Sequence, residues 1–281
     1  MRQFISEYND LQEENNNILR HTKVSALTNE EYTNFLCLMG DEDIKVRKAG
    51  INLFHSLLSV PGFQEYLLKT SDGRKAVLST FLLAKYRDDL MEKVQMGPFT
   101  DKVDRGLPLR KTVYECIYSI TDKFPAIFFQ HQDNLFINYL ETITNGLEDP
   151  TDKTNTINNL CLNTIMILAS VKECSSNLDN QHAMILLNKV QGVMANACQK
   201  IKQVVTEKQE QTKNNNPSMV KDIVDRECRA VWLPSLQIVL NLRSLGFCDT
   251  SGVLNEYKNQ RHLLNSKFVS EVKRFEVGAS L

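Results

Sequence analysis

The chain has 281 residues, 42% of them hydrophobic and 24% charged, enough to bury roughly 75% of the unfolded surface without help from disulfides or metal. Its 33 Lys and Arg almost cancel its 34 Asp and Glu, leaving no positive excess for a phosphate backbone and arguing against nucleic acid as a partner. With only 11 Gly and 7 Pro, and no run near the roughly 18 apolar residues of a membrane span, long non-membrane helices are expected rather than many short strands.

The opening segment, MRQFISEYNDLQEENNNILR, is polar and acidic. It lacks the apolar core of a secretory signal and the Arg-rich face of a transit peptide. The seven cysteines, Cys37, Cys116, Cys161, Cys174, Cys198, Cys228 and Cys248, are odd in number and show no C-x-x-C spacing. Most sit among apolar helical residues, which predicts small buried thiols in a reducing, cytoplasmic and/or nuclear setting.

From Tyr32, apolar residues at Phe35, Leu36 and Met39 form one helical stripe; Ser25 or Thr28 is expected to cap that helix, and Glu31, three residues after Thr28, would complete a capping box. The next segment, Asp43 to Leu58, is apolar on two sides: Val46, Ala49, Gly50, Leu53 and Leu57 on one, Ile44, Ile51, Phe54 and Leu58 on the other. Such a helix must be sandwiched. The segment from Lys93 to Gly106, KVQMGPFTDKVDRG, carries Gly97, Pro98 and Gly106. It reads as a short exposed hairpin with Val94, Met96, Phe99 and Val103 outward, and Pro98 confines it to a sheet edge.

Helical spacing returns with Leu109, Val113, Cys116, Ile117 and Ile120, and Pro108 fits the first turn. Further helices are expected over Phe136 to Leu147, Ile157 to Leu168, Leu178 to Lys208, Val220 to Leu245 and Val253 to Phe275, and Trp232 is expected in the core. EKQEQTKNNNPS, residues 207 to 218, is expected as a solvated linker or frayed helix ends.

Catalytic patterns are missing from the sequence. His21, His55, His131, His182 and His262 show no H-x-x-x-H spacing, and there is no phosphate-binding glycine loop, no G-x-S-x-G and no kinase signature. The Asp88-Asp89 pair reads as solvated charge on a helix face. No enzyme activity, metal or cofactor is expected.

GDEDIKVRKAGINLF from Gly40 and VDRGLPLRKTVYECI from Val103 align with each other, each with an Asp followed by an aliphatic-Arg-Lys step. The pair resembles the signature of HEAT repeats. Arg47 and Arg110 are 63 residues apart, longer than the about 40 to 47 of one unit, and the hairpin accounts for the excess. The resemblance implies a ladder between repeats built from Asp43, Arg47, Asp104 and Arg110; solvated surface charge is the alternative. The expected fold is an all-α, right-handed α-solenoid of about five or six HEAT-like helix pairs with one short β-hairpin insertion.

KVQMGPFTDKVDRGLPLRKTVYECIY, from Lys93 to Tyr118, resembles the start of the C-terminal domain of the CAND family, the cullin-associated and neddylation-dissociated proteins, also described as TATA-binding-protein-interacting proteins. The matching residues are Val94, Met96-Gly97-Pro98-Phe99, Val103-Asp104, Gly106-Leu107, Arg110-Lys111 and Glu115-Cys116. FLCLMGDEDIKVRKAGINLF and GLEDPTDK resemble the flanking repeats. By this resemblance, residues 1–92 are HEAT-like repeats and residues 93–281 a cullin-binding region with its hairpin at about 93–106. The resemblance further implies a non-catalytic factor for assembly and substrate-receptor exchange of cullin-RING ubiquitin ligases. It would bind a cullin carrying its RING-box subunit and compete with the substrate-receptor adaptor through Val94, Met96, Gly97, Pro98, Phe99 and Val103. A second chain would supply the family's N-terminal arm. Rival expectations are a generic HEAT scaffold or transport adaptor, and a factor binding TATA-binding protein; Met96 and Phe99 folding back onto their own helices is the alternative for the hairpin.

Overall fold

A computed structural model of the chain describes residues 27–129, 135–170, 180–210, 225–244 and 246. The first helix, α1 (Asn29–Leu36), starts at the expected box: Thr28 Oγ accepts from the Glu31 N–H at 3.3 Å, and the Thr28 N–H donates to the Glu31 carboxylate at 2.7 Å. A 3₁₀ turn (Cys37–Gly40) follows. Tyr32 and Met39 are buried and Leu36 packs on the core, but Phe35 is exposed, contrary to the expected stripe.

Helix α2 (Ile44–Leu57) is capped by Asp43, whose carboxylate accepts from the Lys45 N–H at 2.8 Å. Gly50, Ile51, Phe54, Leu57 and Leu58 are buried, so both predicted faces meet neighbours, although Ala49 points to solvent. Two helices then appear that the sequence reading did not resolve, α3 (Pro61–Lys69) and α4 (Ser71–Leu83). Pro61 sits in the first turn of α3, where its missing N–H costs nothing. Thr70 caps α4, accepting from the Gly73 N–H at 3.0 Å. Phe63 of α3 packs edge-on against Tyr32 and Phe54, with ring centroids 5.1 and 5.7 Å away.

After a 3₁₀ turn (Asp88–Leu90) come two antiparallel strands, β1 (Met91–Met96) and β2 (Phe99–Asp104). The helical series resumes with α5 (Leu107–Lys123), α6 (Leu135–Leu147), α7 (Thr156–Ser170) and the long α8 (Asn180–Glu210). Residues 225–227 lead through a π-helical turn (Cys228–Trp232) into α9 (Leu233–Ser244). Trp232 is fully buried, as expected. Residues 207–210 of the predicted linker are helical; the rest of it and the predicted helix from Val253 to Phe275 lie outside the described residues.

The helices stack in two layers. In one, α2 packs on α5, α5 on α7 and α7 on α9; in the other, α1 packs on α4, α4 on α6 and α6 on α8. Rungs across the layers join α4 to α5, α6 to α7 and α8 to α9. This is the all-helical solenoid, and one continuous buried cluster runs through it from Tyr32 to Leu242. Each middle helix has neighbours on several sides, which is why its sequence is apolar on more than one face. Buried hydroxyls fasten α5 to the other layer: Tyr114 donates to the Thr142 carbonyl at 3.0 Å, and Thr121 and Tyr139 share a hydrogen bond of 3.0 Å.

The layers approach each other closely at Gly146, near the end of α6. A Cβ there would lie 2.5 Å from Cys161 Sγ on α7 and 2.6 Å from the Tyr114 ring on α5. Both neighbours are themselves buried, so Gly146→Ala is expected to destabilise the fold by about 1 to 3 kcal/mol through overpacking. Urea unfolding would register this as a lower midpoint at unchanged slope, whereas an unchanged midpoint would show that the layers can part without cost.

Candidate partner-binding hairpin

The hairpin is a two-stranded ribbon, in which, among the described residues, β1 and β2 pair only with each other. Its register runs from Met91 opposite Asp104 to Met96 opposite Phe99, leaving Gly97 and Pro98 as a two-residue turn. Gly97 has φ of 63°, as the first central residue of a tight hairpin turn requires and as a side chain would disfavour. Pro98 therefore occupies the turn rather than the edge-strand position expected from sequence, and no ladder hydrogen bond is lost to its missing N–H.

Residues opposite one another share a face. One face carries Glu92, Val94, Phe99, Asp101 and Val103; the other carries Met91, Lys93, Gln95, Thr100, Lys102 and Asp104. The predicted apolar residues are thus brought together on one side. Phe99 is 75% exposed, more than any other large apolar side chain named here, and Val103 is 41% exposed; Val94 is half-buried. Gly97 and Pro98 are exposed at the tip. Met96 faces Phe99 across the ladder, but its side chain lies outside the described ones.

The root of the ribbon is held very differently. Arg110, on the first turns of α5, is only 1% exposed. Its Nε and Nη2 donate to both carboxylate oxygens of Asp149 at 2.8 and 3.1 Å, and Nη2 also reaches Asp104 at 2.7 Å and the Thr151 hydroxyl at 2.7 Å. Asp104 ends β2, while Asp149 and Thr151 lie between α6 and α7. The guanidinium carbon stands 5.3 Å over the ring of Tyr86, ahead of β1. One cation therefore joins the hairpin's root to two consecutive repeats. Further out, Arg105 pairs with Glu92 across the ribbon.

Of the four expected ladder residues, Asp104 and Arg110 meet in this cluster. Asp43 instead caps α2, and the Arg47 guanidinium donates to the Glu42 carbonyl at 2.9 Å. Asp149, Thr151 and Tyr86 were not singled out in sequence, although the first two belong to the GLEDPTDK segment that already stood out. Asp88 and Asp89 are exposed as expected, but in a 3₁₀ turn rather than on a helix face.

Burial alone would raise the pKa of Asp104, but hydrogen bonds from Arg110 and Thr151 and the guanidinium charge outweigh it and hold the carboxyl below its ordinary 3.8. Burial pushes the Cys116 and Cys161 thiols up, away from the reactive thiolate. Among the described residues, no group of three or more His, Cys, Asp and Glu could hold a metal ion. No described helix is long and apolar enough to cross a membrane.

Comparison with known proteins places these features in context. A family model described as TIP120, TATA-binding protein interacting (TIP20), matches residues 75–226, a span that contains the hairpin and its anchor. Cullin-associated NEDD8-dissociated protein 2 of Mus musculus is 34% identical over 119 residues, 42% of this chain and 9% of its own length. Cullin-associated NEDD8-dissociated protein 1 of Arabidopsis thaliana is 30% identical over 135 residues, 47% of this chain and 10% of its own. The protein named as the C-terminal part of Cullin-associated NEDD8-dissociated protein 1 in Emericella nidulans is 37% identical over 93 residues. The chain thus aligns with no more than a tenth of these relatives' length. An engineered protein of known crystal structure aligns over 83% of this chain and 98% of its own, with a TM-score of 0.39 and 12% identity, a likeness too low to bear on the fold.

Arg110→Met should leave the buried Asp104 and Asp149 facing each other without a counter-charge, a loss of about 3 to 5 kcal/mol at neutral pH. In the unaltered protein, the contribution of Asp104 is fully present above its ordinary 3.8 and drains away as pH falls through the lower folded value. Denaturant titrations across that range should show the two proteins converging in stability on acidification. A constant gap would mean that the carboxylates are not what the guanidinium stabilises.

Proposed function

The chain belongs to the TIP120 family of TATA-binding-protein-interacting proteins, and on that premise we propose that it is a non-catalytic cullin-binding factor whose hairpin enters a groove on the cullin. The observation that carries the reading is Phe99, three-quarters exposed at the tip of a ribbon whose root is pinned by Arg110. A large aromatic left in water on an ordered support is a liability unless a partner covers it. Covering Phe99 would contribute about 1.5 to 3 kcal/mol, the scale of a hot spot within a larger interface. The relatives named as cullin-associated supply the partner class.

In this reading the hairpin occupies the place where a substrate-receptor adaptor docks, so that adaptor and hairpin exclude one another and one receptor is exchanged for another on a cullin carrying its RING-box subunit. A second chain contributing further contacts, and a cytoplasmic or nuclear location, belong to the same proposal. The family's description also names TATA-binding protein, which stands as the second reading and needs no basic DNA-contacting surface.

Phe99→Asp is expected to preserve helicity, since the side chain touches solvent, while weakening binding to a purified cullin at least about tenfold, in keeping with loss of a hot spot. Adaptor added in excess should displace the unaltered chain from the same cullin. Undiminished binding by the variant would overturn the assignment of the hairpin, and binding to TATA-binding protein instead of cullin would favour the second reading.

A further inference from the structure

We propose that the hairpin is a plug with two working sides, in which Lys93 and Lys102 bind carboxylates on an acidic wall of the same partner protein whose groove receives Phe99. This rests on the cullin-binding reading and deepens it by specifying the chemistry of the second wall.

The register places Lys93 directly opposite Lys102, on the face away from Phe99 and Val103, and both are exposed. Like charges directly opposed on a ribbon weaken it. The hairpin's own carboxylates are engaged elsewhere. Glu92 pairs with Arg105 on the other face, Asp104 is held by Arg110 and Thr151, and Asp101, also on the other face, accepts from the Lys102 N–H at 2.8 Å. Beside the lysines, Gln95 and Thr100 bond to each other at 2.9 Å. The positive charge is thus concentrated at one rung, and no ion pair joins either ammonium to a carboxylate among the described residues.

A carboxylate set between the two ammonium groups would turn this repulsion into two attractions. Among the described residues the sheet has no third strand, and Phe99 on one face and Lys93 and Lys102 on the other are all exposed, so a groove that closes around the ribbon meets the lysines as well as Phe99. The complement is a local acidic protein surface rather than a phosphate backbone. Nucleic acid needs an extended basic track, whereas this chain has a net charge of −1 and the hairpin's other face carries Glu92 and Asp101.

The test uses the full chain and a purified cullin, with association and dissociation rates measured over a range of ionic strength. Lys93→Glu places a carboxylate opposite Lys102 and so strengthens the free hairpin, which separates binding from folding. This variant, and Lys102→Glu likewise, should nevertheless bind about tenfold more weakly at low salt, chiefly through slower association, and with a flatter salt dependence. Lys93→Gln should fall between them and the unaltered chain. If both reversals match the unaltered chain in affinity and salt dependence while Phe99→Asp fails to bind, the acidic wall is overturned and the hairpin reading stands. If Phe99→Asp also binds normally, or the unaltered chain does not bind cullin, both fall. Loss of duplex DNA binding in the reversals, with cullin binding unchanged, would assign the face to nucleic acid and overturn the proposal.

Discussion

A guanidinium withdrawn from water governs how this protein presents its hairpin. Removing a charge from solvent costs several kcal/mol, and that cost is offset only where well-placed hydrogen bonds and counter-charges surround it. Arg110 meets the condition by bridging Asp104 at the end of β2, Asp149 and Thr151 at the entry to α7, and the face of Tyr86 ahead of β1. Because those partners come from chain segments on either side of the hairpin, the cluster forms only when the ribbon emerges at one place and one angle. A buried ion pair of this kind adds less to net stability than to register. Here the register is that of the hairpin on the solenoid.

The layered helices supply the counterpart to that anchor. Packing α5 between α2 and α7, with α4 and α6 behind it, demands a helix with a wide buried face, and Leu109, Val113, Tyr114, Cys116, Ile117, Ile120 and Thr121 supply it. Arg110 is part of the same buried set. Its charge is tolerated because the first turns of α5 lie beside loops, where carboxylates and hydroxyls can converge, rather than midway along the helix. Further along, the polar atoms that must be buried are neutral hydroxyls, each with a partner on the opposite layer or within its own helix. A held ribbon loses little freedom when a groove closes around it, so more of the contact energy can appear as affinity.

The layers were legible in sequence wherever apolar spacing was uninterrupted, as in α5, α6 and α7. In sequence α3 and α4 are masked by Pro61, Gly62 and Gly73, residue types common in loops; Pro61 in fact begins a helix, and Gly73 admits the backbone of α3 at Tyr66 and Leu67. Phe35 keeps helical spacing from Tyr32 within α1 yet is exposed, because spacing alone does not say how wide the covered stripe is, and in α1 only Tyr32 is buried. At the hairpin, composition located the turn and the apolar residues, but their sharing of one face depends on a register that a two-residue Gly-Pro turn fixes. The partner of Arg110 was harder still. Asp149 is 39 residues away, a separation at which spacing says nothing about contact and only the stacking of repeats decides.

Charge on the ribbon also answers a hazard that follows from its exposure. Both strands present open edges, and an apolar edge invites pairing with a second copy of itself. Lys93, Lys102 and Asp101 stand exposed along these strands, with Glu92 and Arg105 paired near the root, so two such ribbons brought together in the native register would crowd like charges before Phe99 found cover. A foreign groove need not meet that obstacle, provided its walls differ in character as the ribbon's faces do. In the proposed interface, the arrangement that keeps Phe99 from its own kind would therefore select for a partner that is apolar on one side and opposite in charge on the other. Selection of this sort needs the two faces to stay distinct, which the Gly97 turn ensures, because a slip of one residue would exchange them.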